Sequence, residues 1–349
     1  MVNISEVIEL EYNGQRTLNN YREEPREYSP EPYRRKYTQN WSAYNQAQTN
    51  EKFMFMKILD SLVESVGVKT YGKKTGRPPL QMTDMIKCCI MKVFNDFSAR
   101  RTISDLKFAK ALDYIERVPH FNSILNYLNN PYITQFLKEI IKQSSIPLAE
   151  YEKRFAVDST GFSTFCKDKW VKIRLQHKKH RDYKKVHATC GVFTNIIVSA
   201  KVTEGNKADS PQFKELINEI AKDFKIKQVS ADAAYLSREN TQAVEDLGGK
   251  PFIMPKSNTK ALAKGHHPAW NKMINLFRKH ESKFKAFYHL RSNIECTFSM
   301  IKRKFSPFVR SKQYKAQENE LLAKIICHNI SVLISSVFEL DLDLKYLEG

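Results

Sequence analysis

Two apolar runs that each stop on an aspartate constrain the fold of this chain more than any other feature. Residues 154–162 contain Phe155, Ala156 and Val157 ahead of Asp158; residues 227–235 contain Val229 and Ala231 ahead of Asp232. Both read as short buried strands, the first running into a turn at Gly161 and the second into a helix for which Ser237 is a ready N-cap. A carboxylate at the end of a buried strand loses hydration, so it needs a partner, a cation or an exit to solvent. Taken singly, either aspartate serves equally well as a loop cap.

A third acid lies downstream in a different setting. Tyr288, Arg291, Glu295 and Lys302 are spaced so that on one α-helix they share a wedge of roughly 60°. Phe287, Leu290, Ile294, Phe298, Ile301 and Phe305 form the adjacent stripe, wide enough to bury that helix. A lone Glu/Lys pair at helical spacing is an ordinary solvated face. The full set flanks a carboxylate with two cations and a phenol, an arrangement suited to holding a metal ion against a phosphate.

The rest of the composition narrows the partner. The 349 residues carry a formal charge of +19, which calls for a polyanion. Nucleic acid is the first choice and an anionic membrane surface the rival, but the N-terminus shows no signal pattern. Residues 321–340 are apolar yet interrupted by Lys324, His328 and Asn329, so they read as a packed helix and not a membrane span. Of the six cysteines only Cys88 and Cys89 are adjacent, and no C-x2-C pair supports structural zinc. His177, His180, His266 and His267 lack cysteine partners for such a site. The expected compartment is reducing and cytoplasmic, with association to the nucleoid when DNA is bound.

Four regions follow from the pattern. Residues 1–48 are polar and without apolar period, a disordered or loosely docked arm. Residues 49–150 read as helical, with helices near 51–66, 82–97, 103–115, 121–129 and 132–144, Thr102 as a candidate N-cap, and a helix-turn-helix-like, DNA-binding character. Within them Arg77, in a Gly-Arg-Pro sequence, is either a minor-groove hook or part of a stiff basic linker. Residues 151–338 alternate strands and helices. Strands are expected at 186–193 and 196–202 around a turn at Thr194 and Asn195, a helix capped by Ser210 to about residue 224, and a strand at 251–254. A C-terminal tail covers 339–349. Two stretches exceed a minimal core: a basic excursion at 163–185 and an insertion at 256–287. Over 167–185 nine Lys or Arg residues outweigh two Asp. That excess makes either a solvated face or a phosphate-holding surface, with Lys178, Lys179, Arg181, Lys184 and Lys185 as its candidate contacts. Asp168 reads as an ion-pair partner there, and Asp209 as a helix N-terminal acid.

The Y-x2-R-x3-E-x6-K spacing, with the two upstream aspartates, resembles the catalytic region of DDE transposases of prokaryotic insertion sequences. The element order 151–338 is similarly that of an RNase H-like fold. The resemblance therefore implies an α/β RNase H-like catalytic domain, a mixed sheet flanked by helices, preceded by an all-helical N-terminal DNA-binding region. It implies Asp158, Asp232 and Glu295 as ligands of two Mg²⁺ (or Mn²⁺) ions per active site, with Arg291 and Lys302 orienting backbone phosphates and Tyr288 positioning a terminal nucleotide. The implied substrate is double-stranded DNA, both the element's terminal inverted repeats and a target. The implied assembly is a homodimer in a synaptic complex, with no membrane partner. Two other readings stand beside it: an RNase H-like nuclease without strand transfer, and a transposase-derived DNA-binding protein whose activity has lapsed.

Overall fold

The computed structural model describes residues 40–67, 80–164, 183–260 and 267–344. Arg77, Asp168, Lys178, Lys179 and Arg181 lie outside these residues, as does the arm up to residue 39. Five helices come first: α1 (Trp41–Ser65), α2 (Met82–Phe94), α3 (Ala99–Ala111), α4 (Phe121–Leu128) and α5 (Pro131–Ser145). The first begins ten residues before its expected start at 51, because Asn40 Oδ1 accepts from Ala43 N at 3.1 Å and caps it there. Residues 41–48 are thus helix and not arm. Their buried face is carried by Ala43 and Ala47, too small to register as an apolar period. Thr102 is not the cap of α3: Ser98 Oγ accepts from Arg101 N, and Thr102 is buried inside the helix, donating to Ser98 O at 3.1 Å. Pro131 opens α5, where a missing N–H costs nothing, with Asn130 as cap.

The α/β part runs β1 (Arg154–Ser163), β2 (Tyr183–Gly191), β3 (Ile197–Glu204), α6 (Phe213–Ile220), β4 (Gln228–Ala231), α7 (Arg238–Asp246), β5 (Lys250–Ile253), α8 (Pro268–Lys279), α9 (Glu281–Tyr288), α10 (Ser292–Lys304) and α11 (Tyr314–Glu339). Among the described residues these strands form one sheet in the order β3-β2-β1-β4-β5. The pairs β1/β2 and β2/β3 are antiparallel, while β1/β4 and β4/β5 are parallel. This is a mixed, RNase H-like sheet flanked by helices and preceded by the helical region.

Two expectations need correction. The turn at Gly161 is absent: β1 continues through it to Ser163, paired with β2 as far as Ser163↔Tyr183. Gly161 is there because a Cβ would lie 2.9 Å from the Tyr183 ring. Ser210 does not cap α6; a 3-10 turn, Ser210–Gln212, leads into it, and Ser210 Oγ accepts from Asn240 Nδ2 at 3.1 Å. Among its described residues the insertion holds two helices, α8 and α9.

Helix α11 packs against α1, α2 and α5 and also reaches β3. It is the one described helix long and apolar enough to cross a membrane, and 72% of its most apolar stretch is buried inside the protein. Its polar residues are buried with it, each meeting backbone from another segment. Asn319 Nδ2 donates to Leu128 O at 2.8 Å, and Glu320 accepts from Arg310 N and Ser311 N. Lys324 Nζ donates to Ser306 O and Phe308 O, His328 Nε2 meets Asn195 O at 2.9 Å, and Asn329 brackets Ile197 N and O.

Burial pulls the His328 imidazole down to about 4 from its usual 6.5, with Lys304 adding to the effect and the bond to Asn195 O opposing it. A folded-state pKa below the unfolded one means the unfolded chain binds the extra proton. The stability His328 contributes is therefore present above pH 6.5 and lost as the pH falls toward 4. The full shift corresponds to about 3 kcal/mol. Urea unfolding between pH 7.5 and 5 should show His328→Gln, which keeps the N–H donor but does not titrate, losing less stability than the wild type. His187, also pulled down to about 4, keeps part of the slope in both proteins.

Candidate active site

Asp158 does not close its strand. It stands midway along β1, where β4 ends: the last parallel pair is Val157↔Ala231, so the next residues on the two strands are Asp158 and Asp232. Beyond that point β1 keeps β2 on one side, while its other edge has no strand partner until Ser163 bridges Phe308. The two aspartates thus emerge side by side at a notch in the sheet. Asp232 Oδ1 accepts from Ala233 N and caps a 3-10 turn, Ala233–Tyr235, which turns the chain away from the sheet. Asp158 Oδ1 accepts from Ser159 N at 2.8 Å.

The third acid arrives on α10, which crosses β1 and β2 with Ile294, Thr297, Phe298 and Ile301 buried beneath it. Asn293 Nδ2 donates to Val192 O at 2.7 Å and pins the start of the helix to the end of β2. Glu295 projects from the exposed side. Tyr288, Arg291, Glu295 and Lys302 do not share one helix, however. Tyr288 ends α9, a 3-10 turn at His289–Arg291 intervenes, and α10 begins at Ser292. They still face one region. Arg291 Nη1 donates to Asp158 Oδ2 and Nη2 to Glu295 Oε1, both at 2.6 Å. The Tyr288 ring lies 5.8 Å from the Arg291 guanidinium carbon.

Electrostatics confirms that the acids sense one another. Burial pushes the Asp158 carboxyl up; the Ser159 N–H and Arg291 oppose this, and the nearby charges of Asp232 and Glu295 add to it. Burial likewise raises the Tyr288 hydroxyl, against Arg291 and with Asp232 and Asp158. Lys302, lowered by burial, donates to Thr160 Oγ1 at 2.6 Å, two residues along β1 from Asp158.

The family model for the transposase DDE domain matches residues 152–330, just over half of the 349. The chain belongs to the transposase DDE domain family. Comparison with curated proteins and with solved structures finds no match. Membership makes this a transposase-type protein with DNA as substrate, in a family that generally uses divalent metal ions.

The donor set fits such ions in kind, since carboxylate oxygens suit Mg²⁺ or Mn²⁺ and the two aspartates flank a notch open to solvent. Among the described residues no three His, Cys, Asp or Glu side chains converge on one point. A guanidinium bridges two of the acids instead. The place where a cation would neutralise Asp158 is held by Arg291.

The remaining candidates divide. Lys184 is buried, paired to Glu204 at 2.7 Å and 3.6 Å from the Tyr314 ring centroid. Lys185 pairs with Asp209 at 2.6 Å. Both ammonium groups are engaged within the protein, which accounts for part of the basic run without a phosphate. Asp209, expected to act on a helix dipole, makes no side-chain cap bond; it joins Lys185 to His187 Nδ1 at 3.2 Å. Tyr183 donates to Gly205 O at 2.8 Å and anchors its strand. Sequence reasoning gave no role to Tyr235. It is fully buried behind the aspartates, with its hydroxyl raised by burial and by Asp209, Asp158 and Asp232 and left without a hydrogen-bond partner among the described residues. Its place three residues after an acid in an otherwise small-residue turn was the available signal.

Arg291→Gln should lower stability in metal-free buffer by about 2 kcal/mol, since it leaves Asp158 half-buried and unpaired beside two other acids. In the Asp158→Asn/Arg291→Gln double variant much of that loss should return. Strictly additive losses in a urea double-mutant cycle would show that the pair is not coupled.

Proposed function

We propose that this transposase cuts DNA at the ends of its element and joins the exposed 3′ ends to target DNA, using divalent metal ions held by Asp158, Asp232 and Glu295. One observation carries the reading: two strand-borne aspartates at a sheet notch, with a helix-borne glutamate tied to one of them through an arginine. Burial raises the Asp158 carboxyl and the charges of Asp232 and Glu295 raise it further, a cost that Arg291 offsets only in part and that a structural role alone does not call for.

Each chemical step exchanges one phosphorus–oxygen bond for another. In cleavage a water oxygen bonds to phosphorus as the 3′ oxygen leaves. In transfer that 3′ hydroxyl oxygen bonds to a target phosphorus, and the target's own 3′ oxygen leaves. Two Mg²⁺ or Mn²⁺ ions, when bound, activate the entering oxygen and stabilise the leaving one. Asp158, Asp232 and Glu295 would hold these ions through their carboxylate oxygens. Arg291 is displaced from the carboxylates toward a phosphate, an acceptor its planar fork matches. Lys302, fixed on Thr160, faces the backbone on the same side, and Tyr288 offers a ring and hydroxyl to the terminal nucleotide. The helical residues 49–150 hold the element's ends, and a homodimer brings two ends together. Arg77, Lys178, Lys179 and Arg181 are assigned to the DNA backbone.

Purified protein incubated with its own gene and flanking DNA in Mg²⁺ should cut at discrete flanking positions and join the ends to a second plasmid. Asp158→Asn, Asp232→Asn and Glu295→Gln should each lower the rate by roughly 10³-fold or more while DNA binding persists. Cutting without joining would favour the plain nuclease, and binding without cutting by the wild type would favour a lapsed enzyme. Cutting that survives the substitutions would mean other carboxylates do the work.

A further inference from the structure

We infer that α3 is the helix that reads duplex DNA, entering the major groove with Arg100, Arg101, Lys107 and Phe108. The identity of the partner rests on the function proposed above; the choice of helix rests on the following geometry. Helices α2 and α3 are joined by residues 95–98, with Asp96 at φ +48° and Ser98 as cap, and α4 packs against both. Two helices joined by a four-residue turn, with a third packed on both, have the connectivity of a helix-turn-helix in which α3 is the second helix. Its inner face, Thr102, Leu106 and Ala109, is buried. Its outer face carries Arg100, Arg101, Lys107, Phe108 and Lys110, all exposed.

Among the described residues none of these four cations pairs with a carboxylate, whereas Lys184, Lys185, Lys201 and Lys272 all do. Arg100 and Arg101 lie instead over aromatic rings, Phe121 at 4.6 Å and Phe97 at 4.3 Å. A ring steadies a guanidinium without consuming its N–H donors as a carboxylate does. Phe108, 69% exposed among these charges, is out of place on a plain solvated face. It suits a surface that meets thymine methyl groups between phosphate contacts. A second copy of the same face would bring like charges together, so the charge selects a polyanion.

The helix is also held from both ends. Asp96, in the turn before it, takes both Nε and Nη2 of Arg310 at 2.9 Å. Arg310 belongs to the segment that follows α10, the helix bearing Glu295. Beyond α3, Tyr114 O accepts from Lys87 at 3.0 Å and Glu116 N donates to Asp84 at 2.8 Å. Such bracing fixes the offset between the bases α3 contacts and the acidic notch.

The test is fluorescence anisotropy in EDTA, where no cleavage occurs, with duplexes from the DNA flanking the reading frame and with scrambled duplexes. Lys107→Gln/Lys110→Gln and Arg100→Gln/Arg101→Gln should each weaken binding by at least roughly tenfold near physiological salt and reduce the log–log salt slope by about 2. Lys225→Gln/Lys227→Gln, the same charge change at the end of β4 remote from Asp232, should leave the slope unaltered. Phe108→Ala should erase the preference for flanking over scrambled duplex, as should uracil for thymine in the probe, with the slope kept. The lysine pair is fully solvated, so it carries the test if the arginine pair fails to fold. Equal losses from the control pair would overturn the assignment. So would unchanged DNA affinity with a change in oligomeric state, which would give the face to a second copy. Failure here leaves Asp158→Asn free to succeed or fail in the cleavage assay, so the two readings are separable.

Discussion

The structure depends on polar groups buried along α11. An apolar helix would suffice to fill the space between the helical region and the sheet, but it would leave the joining loops with unsatisfied backbone. Asn319, Glu320, Lys324, His328 and Asn329 meet those groups one by one, at the end of α4, the segment after α10, the β2–β3 turn and the first residue of β3. Each bond is worth little net, yet removing one partner leaves the other buried and unpaired, at a cost of about 1–3 kcal/mol. The ladder therefore specifies one docking of the helical region on the sheet. Glu152 does similar work at the other side of that turn: buried, with burial pushing its carboxyl up to about 7, it accepts from the N–H groups of Phe193 and Thr194. Gly191 leaves the space, since a Cβ there would lie 2.2 Å from the Glu152 carboxyl carbon.

On that frame the acids are placed by strand length. Because β4 stops at Ala231, the β1 edge has no strand partner from Asp158 until Ser163 meets Phe308, and two carboxylates reach the surface without a long loop to hold them. The same notch keeps Asp158 partly desolvated, which is why a guanidinium settles there. The bridge from Arg291 to Asp158 and Glu295 neutralises acids carried on two different elements. It also explains why Arg291 belongs on a short 3-10 turn: that turn lets α9 and α10 change direction while the arginine stays over β1.

Much of this was legible. The two aspartates, the β-rich pair after them, the capping of α7 by Ser237 and the burial of α11 all follow from period and turn chemistry. What was hidden has physical causes. Asp158 reads as a strand end because Gly161 reads as a turn, and only the Tyr183 ring across the strand pair explains that glycine. The start of α1 is masked because alanines carry its buried face. Lys184 and Lys185 look like solvated charge in a basic run, since their partners, Glu204 and Asp209, lie on a later strand and the turn after it. The single-helix wedge for Tyr288 to Lys302 failed because helical spacing survives a 3-10 turn closely enough to mimic an unbroken helix.

The distribution of charge gives the arrangement a logic on the proposed reading. A chain of net charge +19 attracts DNA over a distance set by ionic screening, about 8–10 Å at physiological salt. Inside that distance three carboxylates repel the phosphate they must approach. Attraction by remote lysines cannot cancel a repulsion acting at hydrogen-bond range, so the cancellation has to be local. Arg291 and Lys302 are placed for it, one between two of the acids and one farther along β1 on Thr160. A basic helix whose described cations are not ion-paired then has a distinct task. It holds duplex through its own cations, and the ion pair from Asp96 to Arg310 turns that hold into a position relative to the notch.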